Sequence, residues 1–279
     1  MKTLVIRNTK LYFRDKTNIF FSMLSVMLII ALFVLFLGTG NWGGNEVRDS
    51  WLMAGVLAVA TITTALGAFA TMVEDRTSKI AKGFYASPVK RSHITAAYII
   101  SPFIVGFIMT ILTTIGFGAY LLITGQSMLS AMGLLKLLGL ILLSSISGTA
   151  LMCFIVSLLK SVSSYNTIST IIGTLSGFLM GIYMPIGNLP TPVQTLIMFF
   201  PPAHAAKLFR QILMEQPLAD AMAYNPDLWD WDLVQQNLGV VFRIGDFEIT
   251  PIMSIGFLIL SGILFFVLSI FNLRRARVK

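Results

Sequence analysis

Between Glu74 and Tyr98 the sequence reads EDRTSKIAKGFYASPVKRSHITAAY, a long polar, basic stretch flanked by apolar runs that are each long enough to cross a bilayer. It holds Arg76, Lys79, Lys82, Lys90 and Arg91, and cations this dense beside apolar runs belong on the cytoplasmic side of a membrane. Such cations have two uses: they set orientation alone, or Arg76, Lys90 and Arg91 also grip acidic residues of a soluble partner. Pro88 ends a short helix here, because the residue before a proline is driven out of the α region.

Other reactive chemistry is sparse. No G-x-x-x-x-G-K-[ST] occurs, so the chain has no P-loop of its own for ATP. The only histidines, His93 and His204, fall at opposite membrane edges in the layout below and do not share a metal site. The single cysteine, Cys153, lies in an apolar run, which offers neither a disulfide nor a metal cluster. No apolar run carries an Asp or Glu near its middle, which argues against a proton-coupled carrier, and no hydrolytic dyad can be assembled. The expectation is therefore no catalytic residue, no metal and no cofactor bound by this chain.

The elements that must position the basic stretch follow from composition. Of 279 residues 56% are hydrophobic and 11% charged, with a mean hydropathy of +0.83. Soluble domains carry about 25% charged residues, so this is an integral membrane protein. A net charge of +8 would suggest nucleic acid in a soluble chain; here the cations border apolar runs and no nucleic acid is expected.

Residues 1–18 alternate Lys2, Arg7, Lys10, Arg14 and Lys16 with Leu4, Val5, Leu11 and Tyr12, so that Arg7, Lys10 and Arg14 share one helical stripe. This predicts an amphipathic helix on the membrane surface, followed by a six-span domain over 19–279. The predicted spans are Ile19–Leu37, Trp51–Val73, Ala96–Thr124, Ala131–Leu159, Asn166 to about Met184, and Pro251–Phe271. Gly38–Ser50 is an outer loop, with Trp42 and Trp51 at belt positions, Lys136 snorkels at the outer start of the fourth span, and Lys160–Tyr165 is an inner loop. Five cations lie in the N-terminal segment, five in Glu74–Tyr98, one in Lys160–Tyr165, and four in the tail (Arg274, Arg275, Arg277 and Lys279), so both termini are predicted to be cytoplasmic.

The fifth span carries Gly173, Gly177 and Gly181, a doubled G-x-x-x-G whose face either packs on a helix of the same chain or forms a subunit interface. Residues 185–214, opening PIGNLPTPVQTLIMFFPP, have apolar stretches too short to span. They predict either a re-entrant helical hairpin or helices of an outer loop, with Thr191 as N-cap and Pro192 at the first helical position. The outer loop, 215–250, is acidic around Arg243, and VVFRIGDFEI predicts a β-hairpin turning at Gly245 and Asp246. The fold class is an all-α membrane protein with six transmembrane helices, an N-terminal amphipathic helix, a cytoplasmic coupling segment (74–95) and an outer re-entrant hairpin.

This architecture resembles the permease subunits of type-2 ATP-binding-cassette exporters, including daunorubicin-type drug-resistance permeases, over the whole chain. In the basic segment the likeness rests on the acid-Arg pair Asp75 and Arg76, beside Glu74, and on Ala86, Ser87, Pro88, Val89, Lys90 and Arg91; Lys79 stands where the family usually has glycine. After the fifth span it rests on Met184 and Pro185, Leu189 and Pro190, and Pro201 with Arg210, with Pro192 between them. The resemblance implies two permease chains, identical or different, in membrane lipid, and P-loop ATPase subunits that carry ATP–Mg and receive a coupling helix at Thr77–Ala86. It further implies an outer gate at Pro190–Phe200, movement of the first and fifth spans, and a bacterial plasma membrane location. The cargo expected is hydrophobic or amphipathic: a drug, peptide or lipid. A stand-alone carrier or channel and a non-transporting membrane sensor are the alternatives.

Overall fold

The computed structural model describes residues 1–16, 19, 44–127, 129–224 and 230–275. The expected first span lies outside the described residues apart from Ile19, as do Trp42, Arg277 and Lys279. The described chain is mostly helical: α1 (Lys2–Arg14), α2 (Asn45–Thr77), α3 (Ile80–Ala86), α4 (Arg91–Thr124), α5 (Ala131–Leu158), α6 (Val162–Leu179), α7 (Thr191–Met198), α8 (Pro201–Leu213), α9 (Glu215–Tyr224), α10 (Trp231–Asn237) and α11 (Pro251–Arg275), with β1 (Phe242–Ile244) and β2 (Phe247–Ile249) before the last helix. Among the described residues, four helices are long and apolar enough to cross a bilayer: Asn45–Thr77, Arg91–Thr124, Ala131–Leu158 and Pro251–Leu273.

Helix α2 is the hub, packing on α4, α5, α6 and α8. Its 33 residues make a rod of about 50 Å, longer than a hydrocarbon core of about 30 Å, so both ends project. Sequence reading placed this span at Trp51–Val73; the helix starts at Asn45 because hydropathy marks the hydrocarbon segment, whereas helical structure continues through the polar residues Arg48, Asp49 and Ser50. Trp51 is also not a belt residue: it is fully buried, and its indole N–H donates to Leu238 O at 2.9 Å. Helix α4 likewise begins five residues before the expected Ala96, at Arg91, and α5 matches its expected bounds within a residue, with Ser130 accepting from Gly133 N at 3.1 Å as N-cap. Several hydroxyls inside the rods are absorbed locally: Thr64, Ser101, Thr110 and Ser144 donate to the carbonyl four residues back, whereas Ser145 and Thr149 of α5 are buried without a partner among the described residues.

Where the fifth span is expected lies α6, an 18-residue helix that begins four residues before Asn166, stops at Leu179, five before Met184, and is not one of the four candidate spans. Its phenol anchor Tyr165 donates to Leu66 O of α2 at 2.6 Å. Beyond it the chain breaks into α7 and α8; Pro190, not Thr191, is the N-cap of α7, because Thr191 already has helical geometry and Pro192 follows it within the first turn. Helix α7 is largely exposed, whereas α8 is buried along almost its whole length against α2, α5 and α11. The predicted hairpin is present, with Ile244 opposite Phe247 and Gly245 at φ 60°, which closes a two-residue turn.

Close packing of α5 on α2 is visible at Gly148, where an added Cβ would lie 2.9 Å from Ile62 Cγ2; Gly139, about two and a half turns earlier, has nothing within 4 Å. Gly148→Val is therefore expected to destabilise the detergent-solubilised chain by about 1–3 kcal/mol, read as a lower Tm, while Gly139→Val stays within about 0.5 kcal/mol of the parent. Equal Tm shifts for the two variants would contradict this packing.

Candidate functional site

The predicted coupling residues gather at the end of the bundle where α1, α2, α3 and α4 meet. Asp75, in the last turns of α2, is 4% exposed. Its carboxylate accepts from Arg7 Nη1 at 2.6 Å and Nη2 at 3.0 Å, a two-pronged grip, and from the Tyr98 hydroxyl at 2.6 Å. Arg7 also donates to Asn8 Oδ1 and sits 5.1 Å from the centre of the Phe84 ring in α3. The hydrogen bond to Asp75 raises the Arg7 pKa above its ordinary value, so this guanidinium is charged at every accessible pH. One node thus joins all four helices.

Two sequence expectations change here. Arg7 was placed on the polar stripe of the surface helix with Lys10 and Arg14; those two are exposed, but Arg7 turns inward because a buried carboxylate requires a partner. Asp75, expected among the coupling contacts, is an internal anchor and no surface for a partner. The pairing of Asp75 with Arg7 and Tyr98 is not legible in the sequence, since it spans 68 and 23 residues of chain.

Between α2 and α3 lies Lys79, which has φ 65°, a left-handed conformation and the only positive φ of a non-glycine residue among those described. Helices commonly place glycine at this position past their C-terminus, which matches the glycine expected here from the resemblance. Helix α3 turns Ile80, Gly83 and Ala86 outward, with Ile80 49% exposed, while Ala81 is buried beneath. Pro88, Val89, Lys90 and Arg91 continue this exposed surface, Ser87 is half-buried, and Glu74 is exposed on the other side of the node. Arg76 faces into a cavity with Arg91.

The glycine ladder is not continuous. Gly173 faces open space, Gly177 is covered by the Tyr183 ring of its own chain, and Gly181 lies past the end of α6 at φ 64°, supplying a turn. Three glycines at spacing four share a face only while the helix lasts.

At the opposite end, α8 carries His204, Lys207 and Arg210 on successive turns, all buried. Arg210 donates from Nη2 to Met180 O at 2.5 Å and Gly181 O at 3.1 Å and lies 5.4 Å from the Trp51 ring. Lys207 donates to Ile249 O and to Ser254 Oγ, and His204 Nε2 meets Met198 O at 2.7 Å. Of the other residues expected in an outer gate, Pro201 is buried, Pro185 and Leu189 are half-buried, and Pro190 and Pro192 are exposed. Nearby, Asp49 is 2% exposed and accepts from Arg48, from Tyr120 at 3.0 Å and from Gln126 at 2.7 Å. Sequence reading missed this cluster by assigning Arg48 and Asp49 to a loop. Further out, Arg243 pairs with Asp232 and Glu248, which raise its pKa. Among the described residues no three His, Cys, Asp or Glu side chains form a metal-binding group.

Two variants test these clusters. Asp75→Asn keeps the shape but leaves Arg7 without its counter-charge, and is expected to cost about 2 kcal/mol, seen as a lower Tm; an unchanged Tm would show that the pair contributes nothing. Arg210→Lys keeps the charge but cannot bridge two carbonyls while covering Trp51. A loss of about 3 kcal/mol is expected, with faster amide exchange at Met180–Ile182, and exchange identical to the parent would contradict the bridging role.

A family model described as ABC-2 family transporter protein matches residues 6–271, nearly the whole chain. No curated protein matches. The apolar rods, the basic node and the match over this length agree: the chain belongs to the ABC-2 family of transporter proteins, as a multi-pass membrane component of an ATP-binding-cassette transporter.

Proposed function

We propose that the chain is the permease of an exporter, driven by a separate P-loop ATPase that holds ATP–Mg and docks on α3. The observation that carries this reading is the outward face of α3, Ile80, Gly83 and Ala86, an apolar knob on a seven-residue helix braced from behind by Arg7, Asp75 and Tyr98. A solvated apolar knob fits a surface groove on a partner, and Lys90 and Arg91 beside it suit an acidic rim. The chain itself contributes the pathway and no catalytic group.

In this reading the expected first span (19–37) and α6 complete six spans, both termini are cytoplasmic, and the membrane is a bacterial plasma membrane. Two permease chains, identical or different, pair through α6, which exposes Ile171, Leu175 and Phe178 at helical spacing and leaves Gly173 unobstructed. Segments α7 and α8 act as the outer gate. Because α2 carries Asp75 at one end and Trp51 near the other, a tilt imposed at α3 reaches the carbonyls held by Arg210 through one rigid rod. An apolar or amphipathic cargo, whether drug, peptide or lipid, suits walls of this composition.

Gentle detergent purification of the tagged chain, followed by mass spectrometry, is expected to recover a soluble P-loop ATPase. Ile80→Glu is expected to cut that recovery about tenfold or more, whereas Lys10→Glu, on the exposed side of α1, leaves it unchanged. Absence of an ATPase even after crosslinking would defeat the exporter reading in favour of a carrier or sensor, and recovery insensitive to Ile80→Glu would remove α3 as the contact.

A further inference from the structure

Behind α3, at the same end of the bundle, lies a cavity of about 510 Å³, within the span of about 300–1,000 Å³ usual for ligand sites. Arg76 from α2, Arg91 from α4 and Lys160 from the loop after α5 converge on it, and among the described residues no carboxylate lines it. Arg91 and Lys160 form no ion pair among the described residues. Arg91 and Lys160 at one hollow repel each other unless an anion enters, so the cavity is shaped electrostatically for negative charge.

Its other walls combine apolar side chains with the hydroxyl-bearing Thr95, Tyr98 and Ser157, and it shares Thr95 and Leu273 with a second hollow of about 260 Å³ between α4 and α11. That groove runs along two helices long and apolar enough to cross a membrane, past Ala96, and is lined by Ile99, Phe266, Ile270 and Leu273, with Ser92 and Thr95 as its polar residues. A carboxylate from a protein partner would use the cations and leave the groove empty. A phospholipid uses both, with its phosphate among the cations and its acyl chain in the groove.

We infer that the cavity bounded by Arg76, Arg91 and Lys160 binds the headgroup of an anionic phospholipid whose acyl chain lies in the groove between α4 and α11. The inference goes beyond the docking reading and does not depend on it, because it needs only a headgroup layer at this end of the bundle. The buried Ala81 of α3 forms part of the cavity wall, so a bound lipid fills the space under the coupling helix and holds its outward face in position. The site is a positioning device with a lipid as its removable part.

The test is native mass spectrometry of the full chain in detergent, titrated with dioleoylphosphatidylglycerol or dioleoylphosphatidylcholine. Phosphatidylglycerol is expected to bind with a Kd at least about fivefold lower, the contribution of one surface cation near an anionic lipid. Arg91→Glu with Lys160→Glu is expected to abolish the preference. Ala96→Trp, which fills the groove and leaves every cation in place, is expected to weaken phosphatidylglycerol binding by a similar factor. Equal affinity of the unmodified chain for the two lipids would overturn the inference without recourse to any variant, as would a preference that survives both substitutions. Displacement of phosphatidylglycerol by equimolar glycerol phosphate would make the cavity a small-anion site and overturn the lipid assignment. If phosphatidylglycerol is ignored while the double charge reversal loses a co-purifying ATPase, the cations serve a protein partner and the lipid site fails.

Discussion

An ionised carboxylate is costly in hydrocarbon, and α2 carries two buried ones, Asp49 and Asp75, separated by 26 residues or about 39 Å of helix. That separation exceeds a hydrocarbon core of about 30 Å and brings each acid to headgroup depth. Each is satisfied by residues of other turns or helices: Asp75 by Arg7 and Tyr98, Asp49 by Arg48, Tyr120 and Gln126. Tyr98 and Tyr120 both belong to α4, so the two acids clamp α4 to α2 near both membrane surfaces. The stretch between the clamps then needs only close apolar packing, and small residues supply it: Gly106 approaches Ala65 and Gly148 approaches Ile62. The register of the central helices is fixed by charge at the ends and by shape in the middle.

The far end solves a different problem, that of helices which stop short. Helix α6 ends at Leu179 and α7 at Met198, and β2 ends at Ile249; each break leaves carbonyls without an intrahelical or ladder partner. Three of the four polar residues on α8 answer them one by one. Arg210 takes Met180 O and Gly181 O, His204 takes Met198 O, and Lys207 takes Ile249 O. Arg210 is suited to this task because the C-terminus of α6 carries partial negative charge. Buried irregular backbone is tolerated only where protein satisfies its carbonyls. A buried cationic helix is therefore the condition for having a broken segment at all, and α8 earns its polarity from the carbonyls around it.

The sequence made much of this legible where one local signal decided. Continuous apolar length gave α5 within a residue, and the Gly245-Asp246 turn between alternating residues gave the hairpin. Hydropathy underestimated α2 and α4 at their ends, since a helix continues through charged residues once its carbonyls are paired, and Arg48, Asp49, Arg91 and Ser92 all lie inside helices. Periodicity identified the face of α1 that carries Arg7 but not what covers that face, because a stripe of cations looks the same whether it meets water, headgroups or Asp75. Gly181 was read as a third rung because spacing alone does not register where a helix ends. Arg210 was found only through its resemblance to a family pattern; its isolation in an apolar stretch with Lys207 was the physical signal available.

The joint at Lys79 bears on how force would travel. A lysine held at φ 65° costs roughly 1 kcal/mol that a glycine would not, so the turn between α2 and α3 is retained against local preference. It also interrupts the hydrogen-bond ladder: Ser78 N closes on Glu74 O, and α3 starts anew. Helix α3 is thus not a rigid extension of α2 and cannot act on it as a lever through backbone continuity. What connects them is side-chain contact, Phe84 beneath the Arg7 guanidinium and Ala81 against the wall of the basic cavity, with Arg7 in turn fixed to Asp75. Any displacement of α3 would therefore load the Arg7–Asp75 ion pair through Phe84, alongside the direct packing of α3 on α2 and α4.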